Sequence, residues 1–202
     1  MLHFETILHS LLEGAVSLTA RTNRQATGSW YQTWLLRAMG VQLEGPVAIA
    51  PGTSFLGARN LKLGRYVTIG NCSRIVSWAP VTIGHDFMAS DFLNINSGSH
   101  DPLTLEPQCA PIIIGERVWC GTSVTICAGV EIGDNVVIGA GSLVTKSLPS
   151  NCIAYGSPAK PARPLDRRDL SLWSMWPERS AYSRFKVAPN WKRHLHWLRA
   201  RL

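Results

Sequence analysis

One short polar segment of the chain holds the side chains best suited to acid–base chemistry. His100 lies there among carboxylate and amide residues: Asn94, Asn96, Asp101 and Glu106. A neutral imidazole can accept a proton near pH 7, and a neighbouring polar group can fix its tautomer. A lone histidine in a polar loop can equally be an exposed or capping residue. The surrounding elements must therefore decide whether this segment is a reaction site.

A period of six residues flanks the polar segment on both sides. An α-helix has 3.6 residues per turn and a simple strand alternates, so neither keeps every sixth residue on one face. Two of the steps are eight residues long, which predicts small bulges at corners after Phe55 and Ile75. The repeated positions are Leu43, Ile49, Phe55, Leu63, Ile69, Ile75, Ile83, Ala89, Ile95, Ile114, Cys120, Ile126, Ile132, Ile138 and Val144.

A coil that turns a corner every six residues explains this period. Each corner points one apolar side chain inward, Gly and Asn tolerate the turn dihedrals, and stacked coils bury a shared core. A sandwich of short strands is the alternative, but its turns usually come every eight to twelve residues. We therefore predict an all-β solenoid, a parallel β-helix, over residues 41–155. The interval 96–111, which exceeds the repeat, is predicted to be an inserted loop that forms the active site.

The two ends of the chain do not follow the repeat. We predict an N-terminal helical segment over residues 1–40, with an amphipathic helix in 2–20, and a C-terminal cap with a basic, Trp-rich extension over residues 156–202. All of the net charge of +7 lies in residues 163–202. A helix that packs on the solenoid or on another subunit is expected near the C-terminus; an acidic ligand or a membrane surface is the alternative partner. The helix faces are predicted at Phe4, Leu8, Leu11, Ala15 and Leu18 and at Trp191, Leu195, Leu198 and Leu202.

Five cysteines without zinc-finger spacing, and an N-terminus without a basic leader region, favour a reduced, cytoplasmic protein. Contact with the inner face of the membrane through the termini is left open. No metal site is expected, because the cysteines and histidines do not have the spacing of metal ligands. No nucleic-acid-binding surface is expected, because the solenoid does not have a basic face.

An ordered series of motifs over residues 81–163 resembles the hexapeptide-repeat acyltransferases. The series begins with Val-Thr-Ile-Gly at 81–84 and the His100 loop, continues with Ile-Gly-Glu-Arg-Val-Trp-Cys-Gly at 114–121 and Ile-Gly-Ala-Gly at 138–141, and ends with Gly-Ser-Pro-Ala-Lys at 156–160. The segment 96–101 is similar to the sugar and polysaccharide O-acetyltransferase branch. The resemblance implies a left-handed parallel β-helix, a homotrimer with active sites between subunits, acetyl-CoA as cosubstrate and a sugar or glycan acceptor.

The resemblance also implies roles for single residues. His100 would be the general base, with Asp101 as one candidate to orient it, and a backbone N–H near Gly121 and Thr122 would stabilise the oxyanion. Trp119 would line the acyl pocket of an adjacent subunit. Small residues would leave room for the pantetheine arm of acetyl-CoA, and polar or basic residues would contact its adenine and phosphates. These cofactor-binding candidates are Ala140, Gly141, Thr145, Lys146, Lys160 and Arg163, and the acceptor-binding candidates are Asn71, Asn94 and Asn96.

Three other functions compete with this interpretation. Xenobiotic or other small-molecule acetyltransferases share the last coils. A zinc enzyme similar to the γ-class carbonic anhydrases would need three histidines, and the solenoid has only His85 and His100. In a non-catalytic trimeric assembly module, the basic tail would be the functional part and His100 would not matter.

Overall fold

The computed structural model describes residues 11–12, 14–15 and 30–165, and the chain between residues 42 and 164 forms short strands joined by turns, with one 3₁₀ helix among them. The helix α1 (Trp30–Ala38) precedes them. The strands are β1 (Gln42–Leu43), β2 (Val47–Ile49), β3 (Ser54–Leu56), β4 (Leu61–Leu63), β5 (Val67–Ile69), β6 (Arg74–Val76), β7 (Val81–Ile83), β8 (Met88–Ala89), β9 (Asn94–Asn96), β10 (Gly98–His100), β11 (Pro107–Cys109), β12 (Ile112–Ile114), β13 (Trp119–Cys120), β14 (Thr125–Ile126), β15 (Glu131–Ile132), β16 (Val136–Ile138), β17 (Leu143–Val144), β18 (Cys152–Gly156) and β19 (Ala159–Pro164).

The strands stack in parallel into three flat faces. Face A contains β1, β4, β7, β12 and β15; face B contains β2, β5, β8, β13, β16 and β18; face C contains β3, β6, β9, β14 and β17. The chain visits the faces in the order A, B, C in each coil, and the register places each repeat residue above its counterpart, as in Leu63 beside Ile83. The prediction of a parallel β-helix is confirmed.

The residues repeated every six positions form the core. Ile49, Ile69, Ile75, Ile95 and Ile126 are completely buried, and the other repeat residues are buried or, at Leu43, partly buried against the same cluster. Each coil alone would leave its apolar side chains in water, so stacking provides the burial that stabilises the fold.

The repeated glycines serve a different purpose from the one predicted. Gly70 and Gly115 do not have positive φ; instead, a Cβ at Gly70 would lie 2.4 Å from the backbone carbon of Ser90 in the next coil. The left-handed conformation falls two residues later in the coil, on non-glycine residues such as Arg117 (φ 56°) and Ser123 (φ 59°). Glycine is therefore required at these corners by the close approach of the coils.

Separate elements cover the two ends of the solenoid. At the first coil, the Gln32 side chain of α1 donates to the Ile49 carbonyl oxygen (2.9 Å) and accepts from the Ile49 N–H (3.2 Å). At the last coil, β19 pairs antiparallel with β18 and so extends face B. Residues 159–164 of the predicted cap turn back as this antiparallel strand and do not continue the parallel repeat. Both additions protect open sheet edges.

The predicted terminal helices fall mostly outside the described residues. Residues 11–12 and 14–15 are helical, with Leu12 and Ala15 partly buried against the core. Leu11, assigned to the apolar face from the sequence, is 66% exposed, so that assignment is wrong. The predicted helix ending at Leu202 lies outside the described part of the chain.

The step after Phe55 is confirmed as an enlarged corner, since a short 3₁₀ helix (Ala58–Asn60) occupies it. The larger insertion between β9 and β12 is a β-hairpin of β10 and β11, in which Gly98 pairs with Cys109 and His100 with Pro107. It projects from the corner between faces C and A. The segment that was expected to be a loop is therefore a regular antiparallel hairpin, and His100 lies on its first strand.

Candidate active site

A groove with a volume of about 720 Å³ lies between face C and the hairpin. Asn94 and Asn96, two of the predicted acceptor-binding residues, contribute to its wall on β9. Ser99 and Gln108, which are partners across the hairpin, contribute to the opposite wall. The other lining residues are Gly98, Cys109, Ala110, Thr125, Cys127 and Ala128.

His100 is exposed at the end of β10, and its imidazole has no hydrogen-bond partner among residues 30–165. The backbone beneath it is ordered by the hairpin ladder and by the Asp101 N–H, which donates to the Glu106 carbonyl oxygen (2.9 Å). An imidazole that is exposed on a well-anchored strand is free to accept a proton from a bound hydroxyl.

Asp101 organises the tip of the hairpin. Its Oδ1 accepts from the backbone N–H groups of Leu103 (2.8 Å) and Thr104 (2.9 Å), and its Oδ2 accepts from Gln108 Nε2 (3.2 Å). The hydrogen bonds from Thr104 and Leu103 lower the pKa of the Asp101 carboxyl below its ordinary value. Both carboxylate oxygens of Asp101 are therefore hydrogen-bonded within the turn at the tip of the hairpin.

The corner between faces B and C aligns several predicted residues. Asp91 Oδ1 accepts from the Asn71 backbone N–H (2.7 Å) and from Asn71 Nδ2 (2.9 Å). In the later coils, the Gly141 N–H donates to the Thr122 carbonyl oxygen (2.8 Å). The amide of Asn71 is therefore committed to Asp91, which leaves its carbonyl oxygen for another contact.

Small residues on this corner leave different amounts of space. A Cβ at Gly121 would lie 2.7 Å from the Ala140 nitrogen, so Gly121 is fixed by coil stacking. A Cβ at Gly141 would meet nothing within 4 Å, and its φ of +69° favours glycine. The backbone at Gly141 is consequently accessible to an extended ligand.

The remaining predicted residues lie on separate faces of one subunit. Trp119 is on face B, 37% exposed, and the register runs from it through Val137 and Ile153 to Arg163, about 14 Å away over three strand spacings. Lys160 is exposed on the same sheet, opposite Tyr155. Thr145 and Lys146 are exposed directly after β17 of face C. A single chain therefore does not bring Trp119 and Arg163 to the His100 hairpin.

Sequence reasoning missed several residues around the groove. Cys109 and Cys127 line it as free thiols, and burial raises the pKa of Cys127. Trp78 contacts the base of the hairpin, because a Cβ at Gly98 would lie 2.3 Å from its Cε3. The eight-residue step after Ile75 was the sequence signal that could have pointed to Trp78.

The second solenoid histidine occupies another corner. His85 Nδ1 accepts from the Arg65 N–H (2.9 Å), and its Nε2 lies 3.5 Å from Glu44 Oε2. Across the described ranges, no three His, Cys, Asp or Glu residues are grouped so that they could bind a metal ion. None of the helices in those ranges has the length and apolar character needed to cross a bilayer.

Known proteins share this architecture. Residues 111–146 match the family model described as bacterial transferase hexapeptide (six repeats). A protein of Escherichia coli (strain K12), named for a proposed role as a colanic acid biosynthesis acetyltransferase, is 35% identical over 131 residues, which are 64% of this chain and 72% of that protein. The galactoside O-acetyltransferase of the same organism is 36% identical over 127 residues, 60% of this chain and 62% of that protein.

A solved structure of a galactoside acetyltransferase in complex with coenzyme A superposes with a TM-score of 0.64 at 30% identity, covering 78% of this chain and 84% of that one. Left-handed β-helices are the common fold of these neighbours. The repeat, the stacked faces and these relatives agree: the chain belongs to the hexapeptide-repeat family of acyl-CoA-dependent acetyltransferases.

Proposed function

We propose that this protein transfers an acetyl group from acetyl-CoA to a hydroxyl of a sugar, in the biosynthesis of a cell-surface polysaccharide or lipopolysaccharide. The observation that supports this most strongly is the hairpin that holds an exposed His100 beside a groove lined by amide and hydroxyl groups. Asn94, Asn96, Ser99 and Gln108 are neutral hydrogen-bonding groups, which suit an uncharged polyhydroxyl acceptor.

His100 is the general base of the reaction. A sugar hydroxyl is a weak acid, so removal of its proton as it attacks a carbonyl lowers the barrier. The imidazole has no competing partner in the described residues, and the hairpin ladder limits its motion. Asp101 acts as a positioning residue, because it shapes the turn that follows the histidine.

Acetyl-CoA supplies the activated acetyl group as a thioester. The residues present fit it: Gly141 leaves open space on the B–C corner, with Ala140 beside it, and Lys146, Lys160 and Arg163 are exposed cations suited to its phosphates. The backbone N–H of Thr122 would stabilise the negative charge that develops on the carbonyl oxygen, because the Gly121 N–H already donates to the Ile138 carbonyl oxygen (2.8 Å).

The active site is shared between subunits of a homotrimer. Trp119 and Arg163 on face B lie away from the His100 hairpin in one chain, so a complete site requires a neighbour's surface. Mixing His100→Ala subunits with Arg163→Ala subunits tests this. At an acetyl-CoA concentration well below the dissociation constant of Arg163→Ala, mixed trimers are expected to be more active than either homotrimer; no gain in verified mixed trimers would place all the groups in one subunit.

The direct test of the reaction uses acetyl-CoA with a panel of methyl glycosides. The rate is measured from the release of the free thiol of CoA, and NMR of the product identifies the group that was acetylated. O-acetyl esters of the sugars are expected. Acetylation confined to amines, or to aromatic xenobiotics, would favour the small-molecule acetyltransferases instead. Calorimetry with acetyl-CoA adds a check that needs no acceptor: Lys146→Ala and Arg163→Ala should each weaken micromolar binding, by roughly tenfold.

A further inference from the structure

Trp78 combines a half-exposed side chain with a tightly fixed backbone. Its indole is 51% exposed. Asn60 Nδ2 donates to the carbonyl oxygens of Ser77 and Trp78 (both 3.0 Å), and Ser97 Oγ accepts from the N–H of the next residue, Ala79 (2.9 Å). Two side chains from two coils thus immobilise a corner whose own large side chain points away from the core. Such a backbone presents the indole in one orientation.

The indole lies against the base of the His100 hairpin. A Cβ at Gly98 would be 2.3 Å from Trp78 Cε3 and 2.9 Å from Cζ3, so the benzene ring of the indole occupies the space that a side chain at position 98 would take. Gly98 is buried. The direction from Gly98 towards its absent side chain therefore points at Trp78.

The alternation of β10 then relates Trp78 to His100. Side chains two residues apart on a strand emerge on the same side, about 7 Å apart along the strand. His100 consequently projects from the side of the hairpin that Trp78 covers, and Gly98 with its partner Cys109 on that same side also lines the groove. Because the indole occupies the side-chain position of Gly98, the strand repeat places it about 7 Å along β10 from the imidazole position, a separation that a single sugar ring can bridge.

We infer that Trp78 binds the acceptor by stacking against the C–H face of a pyranose ring, which presents one of the ring hydroxyls to His100. This inference rests on the proposed function. The C–H groups on one side of a sugar ring are weakly positive and apolar, and the face of an indole is negative and apolar, so the two surfaces are complementary. The acceptor class is therefore a cyclic sugar, and the indole contributes to recognition of the ring.

Kinetics of Trp78→Leu and Trp78→Phe test this assignment. Leucine retains apolar packing on Gly98 but lacks an aromatic face. Phenylalanine retains the apolar packing and the aromatic face. The probes are methyl β-D-galactopyranoside and methyl α-D-glucopyranoside as ring acceptors and glycerol as an acyclic one. Trp34→Leu, which alters an indole that is 62% exposed on α1, is the matched control.

We expect Trp78→Leu to raise the KM for a glycoside about tenfold, equivalent to about 1.4 kcal/mol. The KM for acetyl-CoA and the rate with glycerol should stay within about twofold of the wild type, and Trp78→Phe should recover most of the glycoside affinity. Trp34→Leu should behave as the wild type.

Four results would overturn the inference. The first is an unchanged glycoside KM in Trp78→Leu. The second is an equal fall in kcat for glycosides and glycerol, which indicates a structural role in the hairpin. The third is loss of the trimer by light scattering, which indicates that a neighbouring subunit covers the indole. The fourth is a wild-type enzyme that acetylates no sugar, which refutes the proposed function itself and is seen before any variant is made.

Discussion

Ser97→Ala is the substitution whose cost follows most directly from the structure. The Ser97 side chain is completely buried where face C leads into the His100 hairpin. Its Oγ accepts from the Ala79 N–H (2.9 Å) and lies within hydrogen-bonding distance of two acceptors, the carbonyl oxygens of Ala79 (3.0 Å) and Val76 (3.1 Å). The hydroxyl has one proton, so it donates one bond and accepts another.

Alanine at position 97 would leave the buried Ala79 N–H without its partner. An unsatisfied buried donor costs about 1–3 kcal/mol, and the lost donated bond falls within the same range. With a urea slope of about 2 kcal/mol/M, a loss of about 2 kcal/mol lowers the unfolding midpoint by about 1 M.

The assay is urea unfolding followed by circular dichroism, at one protomer concentration because oligomers unfold with a concentration-dependent midpoint. Ser99→Ala, two residues along and exposed, is the control and should change stability by no more than about 0.5 kcal/mol. Equal midpoints for Ser97→Ala and Ser99→Ala would refute the reasoning that the hydroxyl ties the hairpin to the preceding coil.

Three further predictions concern the coils, the hairpin tip and the thiols. Gly70→Ala should destabilise the fold by about 1–3 kcal/mol or more, because its Cβ would lie 2.4 Å from the backbone of Ser90; a thermal midpoint equal to the wild type would contradict this. Asp101→Ala should speed amide hydrogen exchange at Leu103 and Thr104, because the carboxylate that accepts from both N–H groups is lost. In the wild type these two amides should be protected from exchange above the ordinary carboxyl pKa of 3.8, and the protection should disappear as the pH falls through the lowered pKa of Asp101 in the folded state. Iodoacetamide should modify the exposed Cys109 before Cys127, whose pKa burial raises, with the buried Cys120 last; mass spectrometry reporting the reverse order would contradict the arrangement.

The period of six was sufficient to predict the solenoid because every repeat residue has the same environment. Ile69, Ile75 and Ile95 are equivalent by symmetry of the coils, so spacing alone defines their burial. The prediction that Gly and Asn take the turn dihedrals holds at Asn135 (φ 55°) and Gly141 (φ 69°) but not at Gly70. The steric approach of Gly70 to Ser90 depends on the distance between coils, which spacing along one chain does not encode.

The site was less accessible to sequence reasoning because it depends on contacts between distant segments. The interval around His100 was recognisable by its length and polarity, but the pairing of His100 with Pro107 in a hairpin was not. Trp78 meets Gly98 only after the chain has completed a coil. Likewise, nothing local to Trp119 or Arg163 reveals that both lie on face B, away from the hairpin.

The role of His100 as general base is decided by the rate at which His100→Ala transfers acetyl to a methyl glycoside, measured beside the acetyl-CoA affinity of the same variant by calorimetry. Loss of a general base lowers kcat by about 10²–10⁴-fold. That fall is expected with an unchanged dissociation constant for acetyl-CoA, since Lys146, Lys160 and Arg163, and not the imidazole, are assigned to its phosphates. A His100→Ala enzyme that keeps the wild-type kcat would contradict that role.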